Sequence, residues 1–220
     1  MENRHIGEDF LLICVIVNMG QGSSVAATAR EEGVPGATIV LGRGTVKDHL
    51  LQLFGITDRR KEIVLMLAES SVAQRALRRL QDVFQLDQPH RGIAFTIPVS
   101  QLFGVHGYEG FRRASKGGEA AMYNVIFAIV DQGKSEAVID SATQAGAKGG
   151  TIIHGRGSGF HTARKIFGME IEPEKEIVMI VSESTLTEAI VGSIREDLDI
   201  DAPGKGILFV QDIKDVYGIR

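Results

Sequence analysis

"GATIVLGRGT", from Gly36 to Thr45, and "GGTIIHGRGS", from Gly149 to Ser158, are one phrase written twice. The two copies stand 113 residues apart, and Val17 and Val130, Gly20 and Gly133, Gly33 and Gly146, and Gly55 and Gly168 keep that spacing. Further on, "KEIVLMLAES" from Lys61 and "KEIVMIVSES" from Lys175 stand 114 apart, so one residue has been inserted between the anchors. Pro89 and Pro203, Gly92 and Gly206, and Phe95 and Phe209 hold the new spacing. Self-similarity over a whole half-chain means that one folding unit has been duplicated. The chain is therefore read as a first domain at 1–106, a linker at 107–119 and a second domain at 120–220. The stretch "HGYEGFRRASKGGE" from His106 is polar, glycine-rich and basic and has no apolar period, as a linker should be.

Each half carries the same order of signals. Apolar runs at Phe10–Val17 and Met122–Val130 predict a strand. In Ser23–Glu32 and Lys134–Ala145, Val25, Ala26, Ala29 and Val138, Ile139, Ala142 recur at helical spacing, and Gly33 and Gly146 stand where a helix ends. A second strand is expected at Ala37–Leu41 and Thr151–His154, a third at Glu62–Leu67 and Glu176–Val181. Ser70 and Ser184 offer N-caps to a second helix. A fourth strand at Ile93–Ile97 and Ile207–Gln211 closes the unit. The fold class is α+β, two tandem ferredoxin-like β-α-β-β-α-β domains with antiparallel sheets. The first strands, "FLLICVIV" and "VIFAIV", are apolar on both faces, so they need cover on both sides. Two helices cover one face, so association through sheet faces, within or between chains, is expected.

Composition narrows the function. The 220 residues are 44% hydrophobic and 24% charged, with a formal net charge of −4. That is ordinary globular composition, and its field disfavours nucleic acid and anionic membranes. The lone Cys14 lies in an apolar run and reads as a buried small hydrophobe, in keeping with a cytoplasmic protein. The apolar run that stops at Asn18 is too short to span a bilayer, and no cleavage pattern follows it. The six histidines form no H-x-x-x-H or H-E-x-x-H pattern, no carboxylates can be paired and no nucleophile has a base, so neither a metal site nor a catalytic residue is expected.

Two segments carry possible ligand chemistry. The first is Gly42-Arg43-Gly44 with Thr45, and Gly155-Arg156-Gly157 with Ser158. Each precedes a helix-like pattern, "VKDHLLQLFG" or "FHTARKIFG", with Thr45 and Ser158 as N-caps. Glycines before a helix N-terminus expose backbone N–H groups to an anion, and an arginine adds a bidentate phosphate contact. A plain strand-to-turn passage that needs glycine explains the same residues. The second segment is Gly204-Lys205-Gly206 before the last strand, with Arg91-Gly92 after His90 in the first half. A phosphate over such a turn and a solvated cation on a tight connection are the two readings.

The second half, through "GAKGGTIIHGRGSG" at Gly146–Gly159, "KEIVMIVSES" at Lys175–Ser184 and "GKGILFVQDIKDVYGIR" at Gly204–Arg220, resembles PII nitrogen-regulatory signalling proteins. The first half resembles them more weakly, through "GATIVLGRG", "KEIVLMLAES" and "HRGIAFTIPVSQLFGV". The resemblance implies a trimer of tandem chains and a regulatory ligand, ATP, ADP or AMP with 2-oxoglutarate beside it. It implies no catalytic cycle, and a protein target among transporters and metabolic enzymes, contacted through the loop after the second strand. The ligand residues it implies are Gly155, Arg156, Gly157, Ser158, Gly204, Lys205, Gly206 and Arg220, with Gly42, Arg43, Gly44, Arg91 and Gly92 as weaker first-half equivalents. The loop, Gly155–Lys175, lacks tyrosine and is shorter than usual in the family. Ile207 and Gly218 stand where the family has lysine and arginine, and His90 where it has glycine. These departures give the rival expectation, a scaffold that keeps the fold and has lost the ligand. An enzyme built on the His154–His161 region is a third.

Overall fold

The computed structural model describes residues 9–45, 58–105, 110–112, 121–159, 164–166, 169–214 and 216. They fall into two compact units. One comprises Leu11–Ile97 with Arg156–Phe160, the other Met1–Phe10, Pro98–Gly155 and His161–Arg220. These are called the N-unit and the C-unit. Their borders differ from the repeat boundaries, because residues 98–105 and 110–112 group with the second half and 156–160 with the first.

The N-unit runs β1 (Phe10–Asn18), α1 (Gly22–Glu31), β2 (Gly36–Thr45), β3 (Asp58–Glu69), α2 (Ser70–Phe84), β4 (Ile93–Pro98). Its strand order is β4-β1-β3-β2, the ferredoxin-like order expected for β-α-β-β-α-β. Val25, Ala26 and Ala29 of α1 and Ala73, Ala76 and Leu80 of α2 pack on Ile13, Val15 and Val17 of β1 and on Val64 and Met66 of β3. These helical positions recur three and four apart, so a single stripe of each helix faces the sheet. Burying Ile13 or Leu80 contributes about 1.5–3 kcal/mol each, and Leu80→Ala would cost about 2–5 kcal/mol. Gly33 ends α1 at φ +99, as its place in the sequence predicts.

The side chains of β1 alternate between the helix side and the opposite face of the sheet. Leu12 and Cys14, pointing away from the helices, are each 6% exposed.

The C-unit repeats the order with β7 (Tyr123–Asp131), α3 (Ser135–Gln144), β8 (Thr151–Gly159), β11 (Glu174–Glu183), α4 (Ser184–Asp197) and β12 (Ile207–Ile213). Between β8 and β11 stand β9 (Arg164–Ile166) and β10 (Met169–Ile171). β11 pairs antiparallel with β7 from Lys175↔Asp131 to Glu183↔Tyr123, and β12 lies antiparallel on the other side of β7. Val138 and Ala142 of α3 and Ile190, Val191 and Ile194 of α4 pack on Ile126, Ala128 and Val130 of β7 and on Val178 and Ile180 of β11.

Four local expectations are corrected. The linker at 107–119 contains a strand, β6 (Phe111–Arg112), which pairs with β5 (Gln101–Phe103). The apolar Phe111 ring finds the Phe10 ring at 5.0 Å, and Arg112 pairs with Glu188. Gly42–Thr45 and Gly155–Gly159 belong to β2 and β8, so Thr45 and Ser158 are strand residues and not N-caps. β3 starts as early as Asp58 and gives Gly42, Arg43 and Gly44 the partners Lys61, Arg60 and Arg59. The helix-like "FHTARKIFG" holds β9, paired antiparallel with β10, while 46–57 lies outside the described residues. Ser70 and Ser184 are the first helical residues, with Glu69 and Glu183 as N-caps. The Ser184 hydroxyl donates to the Ala121 carbonyl.

Candidate functional site

Two kinds of local site recur in both units, a buried carboxylate at a helix start and a cationic turn before the last strand. The first was not singled out from the sequence. Glu62, near the start of β3, is 2% exposed, and the Gly22 N–H at the start of α1 donates to its Oε2 at 2.6 Å. The carboxylate thereby satisfies a backbone donor that the first turn leaves unpaired. A Cβ at Gly22 would stand 2.8 Å from Glu62 Oε2 and 2.9 Å from Ile39 Cγ2, so any larger residue there must push one of these side chains aside. The second oxygen of Glu62 accepts from Arg156 Nη2 at 2.8 Å, within the N-unit. Arg30 of α1 donates to the Ser158 hydroxyl at 2.7 Å, so α1 and β3 together hold Arg156 and Ser158 in this unit.

Glu176 is the C-unit counterpart. The N–H groups of Gly133 and Ser135 both donate to its Oε2 at 3.0 Å, and His154 Nδ1 lies 3.9 Å from Oε1. Burial by itself raises the pKa of this carboxyl. The side-chain and backbone hydrogen bonds of Ser135, the Gly133 N–H and the charge of His154 outweigh burial, and the carboxyl stays below the ordinary glutamate value. The signal for both residues was visible as the same "KE" pair opening an otherwise apolar strand in each repeat.

The turn before the last strand has one backbone design in both units. In the C-unit Ala202 N–H donates to the Asp199 carbonyl at 2.9 Å and Lys205 N–H to that of Ala202 at 3.2 Å. In the N-unit Gln88 N–H donates to Gln85 at 2.9 Å and Arg91 N–H to Gln88 at 3.4 Å. Gly204 has φ +80 and His90, at the same place, φ 66. A Cβ on Gly204 would meet nothing within 4 Å, so the space over this turn is open. Gly206 and Gly92 are required by close approach instead, since a Cβ would stand 2.9 Å from the Ile129 carbonyl or 2.7 Å from that of Ile16. Lys205 and Arg91 are exposed. Beside the C-unit turn, Asp201 is held by Arg195 at 2.7 Å, and the Arg195 guanidinium lies 4.1 Å over the Phe103 ring.

Of the expected ligand residues, Gly204, Lys205 and Gly206 therefore form one turn. Gly155 belongs to the C-unit and Arg156, Gly157 and Ser158 to the N-unit, with Arg156 engaged by Glu62. Arg43 is exposed on β2, and Arg220 lies outside the described residues. Among the described residues no helix is long and apolar enough to cross a membrane.

The family model described as "Nitrogen regulatory protein P-II" matches residues 123–220. The second half is thus similar to PII proteins. Its match begins at the first residue of β7 and takes in the whole β-α-β-β-α-β run of the C-unit, including the Gly204–Gly206 turn. The chain also has likenesses among solved structures. Arabidopsis thaliana PII bound to citrate is 21% identical, with 46% of this chain and 82% of that one covered and a TM-score of 0.35. The B. subtilis GlnK–ATP complex is 13% identical, with 46% and 92% covered and a TM-score of 0.35. The ligand-free regulatory subunit of aspartate kinase from Thermus thermophilus is 15% identical, with 86% and 92% covered and a TM-score of 0.38. No curated protein sequence matches the chain significantly.

Proposed function

We propose that the chain is a PII-like signalling protein of nitrogen metabolism, whose second half senses a small anionic ligand and passes its occupancy to a partner protein. The observation that carries this reading is the family match over 123–220, which includes the Gly204–Lys205–Gly206 turn. Open space over Gly204 and the exposed ammonium of Lys205 give that turn the chemistry an adenine nucleotide phosphate needs. Arg220 supplies a further cation in this proposal, and 2-oxoglutarate is a second effector. The reading has no catalytic step: binding shifts the population of a loop or surface that the target protein contacts. Calorimetric titration of the full chain with ATP, ADP, AMP and 2-oxoglutarate tests it. Saturable heat with at least one of them supports sensing, and no heat with any of the four removes it.

A second reading is a scaffold that keeps the fold without the ligand. Ile207 favours it, because it follows Gly206 as a half-buried residue paired with Ile129 of β7 and not as a further cation. A target protein captured equally well with and without nucleotide would select this reading.

A further inference from the structure

The turn that opens at Asp201 and closes at Gly206 rests on residues outside its own repeat. Gly104, one residue past β5, has φ +79, and a Cβ there would stand 2.4 Å from the Gly206 carbonyl oxygen and 2.9 Å from that of Ile200. The backbone of Gly104 therefore abuts both ends of the turn, and a side chain at that place would push them away. By sequence Gly104 belongs to the tail of the first repeat, and by structure to the C-unit. Phe103, just before it, is 4% exposed and pairs with Leu208 of β12.

Arg195, in the last turn of α4, ties the same tail to the start of the turn. Its Nε and Nη2 donate to Asp201 Oδ2 at 3.2 and 2.7 Å, and its guanidinium carbon lies 4.1 Å from the centroid of the Phe103 ring. The ring fixes the plane of the guanidinium and the carboxylate fixes its edge, so one side chain spans from tail to turn. The N-unit turn is built without this clamp. Gln81 stands at the place of Arg195, and Asp87, at the place of Asp201, accepts from the neighbouring Gln88 Nε2 at 3.1 Å. The shared backbone design of the turn thus closes without an arginine. Arg195 is an addition, made at the copy where Gly204 and Lys205 carry the ligand chemistry.

We propose that Arg195 is a positioning residue of the ligand turn: acting through Asp201, with the Phe103 ring as its seat, it sets the turn in one arrangement before the anion arrives. The role rests on the reading of the Gly204–Gly206 turn as the anion site. Fixing a binding loop in advance lowers the ordering cost of binding, so loss of the clamp weakens the ligand without unfolding the chain.

The full chain is titrated with ATP by calorimetry. Arg195→Ala and Asp201→Asn are each expected to weaken binding about tenfold. The urea midpoint should barely move, because the two side chains are 29% and 54% exposed. Asp201→Asn separates positioning from plain charge. Removing a negative charge beside an anion tightens binding if charge alone acts, and weakens it if the clamp sets the turn. The double variant should bind no more weakly than Arg195→Ala, because the two residues act as one unit. Hydrogen exchange without ligand reads the same clamp. The Ala202 and Lys205 amides, whose hydrogen bonds close the turn, should exchange faster in both variants. Tighter binding by Asp201→Asn, additive losses in the double variant, or unchanged exchange at these amides overturns the proposal. A wild-type chain that gives no heat with ATP removes ATP sensing instead, and the exchange rates then decide the positioning role by themselves.

Discussion

Glu62 and Glu176 occupy one position of the duplicated fold and are held differently. Each braces the start of a first helix through backbone N–H groups. Glu62 adds a guanidinium, Arg156, at 2.8 Å, while Glu176 has an exposed imidazole, His154, at 3.9 Å. The backbone part of the device is common to both copies, and the side-chain part has diverged. A duplicated domain thus separates what the fold needs, a carboxylate under the helix start, from what each copy has done with the second oxygen.

Removing the guanidinium should have the largest effect. Arg156→Ala leaves the carboxylate of Glu62, whose side chain is 3% exposed, with the Gly22 N–H as its donor among the described residues. Because Arg156 is itself half-buried, a loss of about 2–3 kcal/mol is expected, at or below the lower end for a broken buried pair. Urea unfolding measures it, and a change under about 0.5 kcal/mol, the scale of an exposed pair, would show that the pair does not hold the N-unit. Next comes Gly22→Ala, which drives a methyl against Glu62 Oε2 and Ile39, at an expected cost of about 1–3 kcal/mol. Ser135 fills the same place in the C-unit, so Ser135→Ala should lose only its hydroxyl bond to Glu176, about 1 kcal/mol. Equal effects at the two sites would erase the comparison.

Acid should then weaken the Glu176 brace. The folded state lowers the Glu176 carboxyl below its ordinary value, so the unfolded chain takes up the proton first as pH falls. The contribution of Glu176 is fully present above about pH 4.3 and is lost as pH drops through the lower folded value. Glu176→Gln should flatten the stability curve in that window. An unchanged slope between pH 5 and pH 2 would mean that other carboxyls set it. The smallest effect is expected at the turns. His90 sits at φ 66, where glycine is at ease, so His90→Gly should stabilise by about 0.5–1 kcal/mol in thermal melts, while Gly204→Ala, at φ +80, should destabilise.

The parts of the fold that could be read from the sequence were those set by local period. Val25, Ala26 and Ala29, and the glycine stops Gly33 and Gly146, announce the helices without help from the rest of the chain. The tail of β2 could not be read in this way. Gly42 and Gly44 look like turn residues, and only the early start of β3 at Asp58 makes them strand. β6, two residues long, is too short to carry a period. Glu62 was visible as a charged residue in an apolar strand, but its partner Gly22 lies 40 residues away, so the role needed the folded chain. At the candidate ligand turn, the cation of Lys205 and the freedom of Gly204 were legible. That Gly206 and Gly92 are fixed by facing carbonyls was not, because strand-to-strand distance is absent from sequence.

The ligand claim rests on the C-unit turn more than on its N-unit twin. ATP titrated by calorimetry into the wild-type chain, Lys205→Ala and Arg91→Ala addresses it directly. One site per chain is expected, weakened about tenfold or more by Lys205→Ala and unmoved by Arg91→Ala. No saturable heat in the wild type, or binding indifferent to Lys205→Ala, contradicts it.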